Sequence, residues 1–89
     1  MDEKRMRRAQ LHRALAEPHR LEIVDELALS DRSPTELGHQ LGMASNLLAH
    51  HLDVLEAAGL IERVTSTGDR RRRYLRLCRA RLAELAAAT

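Results

Sequence analysis

The sequence predicts a mainly helical domain with one small β-hairpin set before the last of five helices. Three observations carry that prediction. Ser33-Pro34-Thr35-Glu36 is a capping box with proline at the first helical position, and Gly42 stands where the short helix it opens should end. Another helical pattern begins about three residues later, the spacing of a helix-turn-helix. At Leu60 the apolar pattern leaves the helical period and favours extended chain, returning to helix after Leu77.

The first helix, α1, is expected over residues 3–16, with Met6, Leu11, Ala14 and Leu15 at helical spacing. The second, α2, starts at Pro18, whose fixed φ suits a first helical position. It runs to Leu29, with Leu21, Val24, Leu27 and Ala28 on one face. The third, α3, starts at the Ser33 cap and turns Leu37 and Leu41 inward. Gly38 lies inside α3, where it costs roughly 1 kcal/mol against alanine, and close approach of another helix would explain it. The fourth, α4, is expected over Ser45–Ala58, with Leu48, Leu52 and Leu55 inward and Gly59 closing it. Strands are expected at 60–65 and 71–77 around the turn residues Ser66-Thr67-Gly68-Asp69. A last helix, α5, is expected over 79–88, offering Leu82 and Leu85. The order α1-α2-α3-α4-β-β-α5 is that of a winged helix-turn-helix. The whole chain, 1–89, reads as a single such domain, with the helix-turn-helix at 33–58 and the wing at 60–77.

Composition narrows the function. The core must be built from 16 Leu, 13 Ala, 3 Val and 2 Ile with no Phe or Trp and one Tyr, which is thin for 89 residues. A partner surface is therefore expected. No run of 18 apolar residues could span a membrane. One cysteine excludes an internal disulfide and a four-cysteine zinc module. The expected compartment is the cytoplasm, near the nucleoid. Catalytic signatures are missing, so no enzyme is expected. The only lysine, Lys4, makes no phosphate-binding loop, a Cys-x5-Arg loop from Cys78 meets Glu84 instead of arginine, and no His-Glu-x-x-His occurs.

The net charge of +2 hides a pattern. Residues 1–16 carry +3, 17–62 carry −7 and 63–81 carry +7, the last with eight Arg and one Asp. A compact basic segment on an acidic body is the footprint of a polyanion-binding edge. In helix-turn-helix domains the second helix enters the major groove by its N-terminal residues. Here those are Ser45, Asn46 and Ala49, followed by His50 on the same outward face. Asparagine can pair bidentately with adenine and serine with several bases. Arg70, Arg71, Arg72 and Arg73 at the hairpin tip suit phosphates or a narrow minor groove. The amino end of α3, with Thr35, could present backbone N–H groups to a phosphate. Five histidines, His12, His19, His39, His50 and His51, are available, but the adjacent His50 and His51 point about 100° apart on a helix and do not easily share an ion. No metal site or cofactor is assigned. Cys78, beside Arg79 and Arg81, is a candidate metalloid or redox handle if those cations lower its pKa.

Residues 14–77 resemble the ArsR/SmtB family of bacterial repressors. The likeness rests on Leu15-Ala16-Glu17-Pro18-His19-Arg20-Leu21-Glu22-Ile23-Val24 and on His51-Leu52-Asp53-Val54-Leu55-Glu56-Ala57-Ala58-Gly59-Leu60-Ile61. Glu36-Leu37, Leu41-Gly42 and Tyr74-Leu75-Arg76-Leu77 add to it. The resemblance implies a homodimer through α1 (1–16) and α5 (79–88), with Leu11, Leu15, Leu82 and Leu85 at the interface. It also implies binding to an inverted-repeat double-stranded DNA operator and repression relieved by an inducer, often a metal or metalloid. Three departures qualify it. Ser33 and Thr35 replace the Cys-x-Cys of many metal-sensing members, α5 lacks the histidines of another class, and Ala44 replaces the usual serine cap, shifting capping toward Ser45 or Asn46. Two alternatives stand beside it: a dimerisation or partner-binding module without specific DNA recognition, and the DNA-binding domain of a longer fusion protein. The Ala44–Leu52 run is similar to repressor domains joined to arsenate-reductase-like phosphatases.

Overall fold

The computed structural model describes residues 1–68 and 72–86. Within them the order is α1 (Glu3–Leu15), α2 (Pro18–Leu29), α3 (Pro34–Leu41), α4 (Ser45–Ala57), β1 (Ile61–Thr65), β2 (Arg73–Leu77) and α5 (Arg79–Ala86). The winged helix-turn-helix order predicted from sequence is the one observed. Expected residues 87 and 88 of α5 lie outside the described residues.

The helix ends follow from local chemistry. The Ser33 hydroxyl accepts the Glu36 N–H at 3.1 Å, and the Glu36 carboxylate accepts the Ser33 N–H at 2.8 Å. Gly42, in the left-handed region at φ 60°, closes α3. Gly59, at φ 77°, closes α4. There the Leu60 N–H bonds the Leu55 carbonyl and the Gly59 N–H bonds the Glu56 carbonyl, both at 2.9 Å, a Schellman closure. That closure removes Leu60 from the strand expected to begin with it and buries it against the core.

One apolar core joins all the helices to the hairpin. Leu11, Ile23, Leu27, Leu37, Leu55, Leu60 and Leu75 are fully buried in it. Each contributes about 1.5–3 kcal/mol of burial. Three sequence expectations shift. Met6 and Leu21 are 58% and 45% exposed and Ala28 is exposed too, because α1 enters the core only through its C-terminal half and the buried stripe of α2 is Ile23, Val24 and Leu27. A Cβ at Gly38 would sit 3.5 Å from the Met43 carbonyl oxygen and 3.7 Å from Leu48. Those are ordinary contacts, so the neighbouring helix is close without demanding glycine.

The hairpin is antiparallel, pairing Ile61 with Leu77 and Thr65 with Arg73. Leu75 and Leu77 face inward, as their alternation predicted. The wing is fixed at its base. Arg32 and Leu75 exchange backbone bonds of 3.3 and 2.7 Å, and the Arg76 guanidinium meets Asp31 at 3.1 Å. On the other strand, Arg63 pairs with Glu56 at 3.1 Å and Asp53 at 3.8 Å, tying the wing to α4.

Candidate nucleic-acid interface

α4 has two distinct sides. Leu48, His51, Leu52 and Leu55 are buried. Ser45, Asn46, Ala49, His50 and Asp53 are exposed. The predicted reading residues therefore share the outward side of one helix, and Leu47, 39% exposed, adds an apolar contact surface at its flank. The N-terminus of α4 is unlike that of α3. Ala44 precedes it in an extended conformation, and no side chain caps its amides. The expected shift of capping to Ser45 or Asn46 does not occur, since both are already in helical backbone and a cap must lie outside it.

An open groove of about 460 Å³ runs between α3 and α4. It brings together Thr35 of α3 with Ser45 and Ala49 of α4, and adds His39 and Arg63. Sequence reading missed those two. His39 is one turn beyond Thr35, a signal available in principle, whereas Arg63 arrives through the strand register. Asn46 and His50 lie outside this groove on the outer side of α4. The α3 amino end offers fewer amides than expected: Pro34 has none, and that of Glu36 is taken by Ser33.

On the wing, Arg72 and Arg73 are exposed. Arg70 and Arg71 lie outside the described residues. The interface residues implied by resemblance divide. Leu11 is wholly buried within its own chain and has no surface left for a second copy. Leu15, Leu82 and Leu85 are partly buried at the edge of the core. α5 packs against α1, with Arg7 3.6 Å from Glu84, yet none of its described residues is fully buried.

Cys78 corrects an expectation. Burial and the Glu62 carboxylate push its thiol pKa up, opposed by Arg81. The Arg79 guanidinium is turned away to the Ala28 carbonyl at 3.0 Å. The lowering of its pKa expected from neighbouring arginines is therefore not found.

Sequence reading also missed a polar corner beneath α4. Glu17, His19 and His51 bring potential ligand atoms within 4.8 Å of one another. Their hydrogen bonds do not suit a cation. The Glu17 carboxylate accepts the Arg20 N–H at 3.1 Å and contacts His19 Nδ1 at 2.8 Å, and His51 Nδ1 faces an arginine donor at 3.1 Å. A metal-bound imidazole instead donates its second nitrogen to an acceptor. The hydrogen bond with His19, foremost, holds the Glu17 carboxyl below its usual range.

A helix-turn-helix domain family model matches residues 15–64. No curated protein matches. Among solved structures, the chain is similar to an ArsR-like transcriptional regulator from Rhodococcus sp. RHA1. They share 32% identity and a TM-score of 0.84 over 92% of this chain and 74% of that one. It is similar to a possible transcriptional regulator for arsenical resistance, at 33% identity and TM-score 0.71 over 88% and 77% of the two chains. A third likeness is to a homodimeric winged helix-turn-helix DNA-binding domain from Mycobacterium bovis. It has 26% identity and TM-score 0.77 over 98% and 82%. These relatives are regulators rather than enzymes, and no described helix is long and apolar enough to cross a membrane. With its sequence likeness running across the helix-turn-helix and its fold matching through the wing, the chain belongs to the ArsR family of winged helix-turn-helix transcriptional regulators.

Proposed function

We propose that the protein is a homodimeric repressor that binds an inverted-repeat operator, in the cytoplasm and on the nucleoid. The observation that carries this reading is the exposed outward side of α4, where Ser45, Asn46 and His50 stand together over a packed core. In this reading α4 enters the major groove and those residues meet base edges. Arg72 and Arg73, with Arg70 and Arg71 beside them, hold the backbone or minor groove, and Thr35 lies near a phosphate. The dimer forms along α1 and α5, where Leu15, Leu82 and Leu85 are only partly covered by their own chain. The mycobacterial domain is homodimeric, which supports a dimer here. A metalloid inducer is left out of the proposal, because Ser33 and Thr35 cannot form a thiolate pair and α5 carries no histidine over 79–88.

The test is selection of duplexes from a random pool, followed by fluorescence anisotropy at about 0.15 M salt. An enriched palindrome bound in the nanomolar range, about a thousandfold above a scrambled duplex, is the expected result. Asn46→Ala should then cost roughly 1–3 kcal/mol on that duplex alone. Arg73→Ala should weaken all duplexes and lower the salt slope by about one. Weak, equal binding to every duplex would replace this reading with a partner-binding module.

A further inference from the structure

Arg20 joins three parts of the fold. It belongs to the first turn of α2. Its Nε donates to the Ala14 carbonyl at the end of α1, at 2.6 Å. Its Nη1 lies 3.1 Å from Nδ1 of His51, in the middle of α4. A guanidinium has only donors. His51 Nδ1 must therefore accept, which puts the proton of the neutral ring on Nε2. That nitrogen faces the Glu17 carboxylate at 3.7 Å. The ring is held on both sides, stacked on His19 with centroids 5.3 Å apart and flanked by His50 at 5.2 Å. His51 is buried, and His50, its neighbour on α4, is exposed on the reading side.

We propose that Arg20 and His51 are positioning residues that set α4 against the α1–α2 corner, and that a proton on His51 Nδ1 releases this setting and weakens DNA binding. A protonated Nδ1 would aim an N–H at a guanidinium that has nothing to accept with, in a buried place. The charged groups around His51 favour the neutral ring. From α2, Arg20 opposes a second cation, and so does His19 when charged. From α4, His50 does the same. Glu17, ahead of α2, favours the charge but is already engaged by the Arg20 N–H and by His19. From α1, the Ala14 carbonyl reaches His51 only through Arg20. Burial, the largest cause, lowers the His51 pKa from the ordinary histidine value of 6.5. The contact is therefore intact at neutral pH, and the folded arrangement loses stability as pH falls below that ordinary value.

The DNA part of this inference rests on the regulator reading, and the test separates the two. Anisotropy with the selected duplex compares wild type and His51→Asn at pH 7.5 and 5.5. Asparagine keeps an acceptor for Arg20 and cannot titrate. Wild type should lose a few-fold more affinity on acidification than the variant, and less than about tenfold, because the His51 pKa lies below 6.5 and pH 5.5 charges only part of that population. Identical pH profiles would overturn the proposal. NMR of the His51 ring nitrogens in wild type gives a second readout that needs neither variant nor DNA. A proton on Nε2 at pH 7.5 is expected, and one on Nδ1 overturns the contact. If no duplex is enriched the regulator reading falls, and the ring tautomer still decides the Arg20 contact.

Discussion

The two helices of the helix-turn-helix begin in opposite ways. α3 is closed by its own side chains: Ser33 and Glu36 satisfy each other's backbone amides. α4 begins after Ala44 with no side-chain cap. At the other end both finish on a left-handed glycine, Gly42 and Gly59. The lesson concerns division of labour. α3 is secured locally at both ends, whereas α4 is secured by its C-terminal closure and buried side, leaving its first turn open toward solvent. In the proposed function that open turn is the part that meets DNA.

The largest effect should come from the C-terminal closure of α4. At Gly59 a β-carbon would combine an unfavourable positive φ with contacts of 3.1 and 3.3 Å to the Arg81 guanidinium. Left-handed backbone costs a non-glycine residue roughly 1–2 kcal/mol. Gly59→Ala should therefore destabilise by about that much, with a little more for shifting Arg81. Gly42→Ala has the same φ penalty and no such neighbour, since nothing lies within 4 Å of its β-carbon. Urea unfolding of the two variants makes the comparison. If Gly42→Ala proves the more damaging, α3 depends on its end more than α4 does.

The α3 cap comes next in size. Ser33→Ala should cost about 1 kcal/mol, since it removes the acceptor for the Glu36 amide. Its pH behaviour is a separate signature. The Ser33 N–H, foremost, lowers the Glu36 pKa from 4.5. A carboxylate with a lowered folded pKa stabilises fully above its unfolded value, and that contribution fades as pH falls through the lowered one. Glu36→Gln should therefore flatten the stability profile on the acid side of pH 4.5. An unchanged acid limb would show that the Glu36 carboxylate adds nothing to the box in solution.

The same contrast explains what the sequence could reveal. α3 was legible because its signals are local: Ser33, Pro34, Glu36 and Gly42 each act on backbone within a few residues. The bounds of α2 and the inward alternation of Leu75 and Leu77 were legible for the same reason. The polar corner was not. Arg20 and His51 are 31 positions apart, and nothing near either residue shows that α1, α2 and α4 meet there. Cys78 misled because sequence neighbours stood in for spatial ones: Arg79 turns away to Ala28 while Glu62 comes near. Leu11 was placed at the dimer interface by resemblance, whereas its helical spacing with Ala14 and Leu15 fits the core of its own chain, where it is buried.

The smallest effect is the most informative about α4. Ala44→Ser would place a hydroxyl where it can accept an amide of the first turn, adding the cap that α3 already has. Such caps contribute about 0.5–1 kcal/mol at the lower end of their range. Unfolding should show a gain of that size, because Ala44 is already extended and exposed and the helix need not move. A gain in stability with unchanged affinity for the selected duplex would mean that the open turn is simply a weak end, and that reading depends on Asn46 and His50. The same gain with a tenfold loss of affinity would mean that the first-turn amides themselves hold a backbone phosphate, which a competing hydroxyl takes from the DNA. No gain at all would show that water satisfies this turn as well as serine does, and the contrast between the two helix starts would then lie in packing alone.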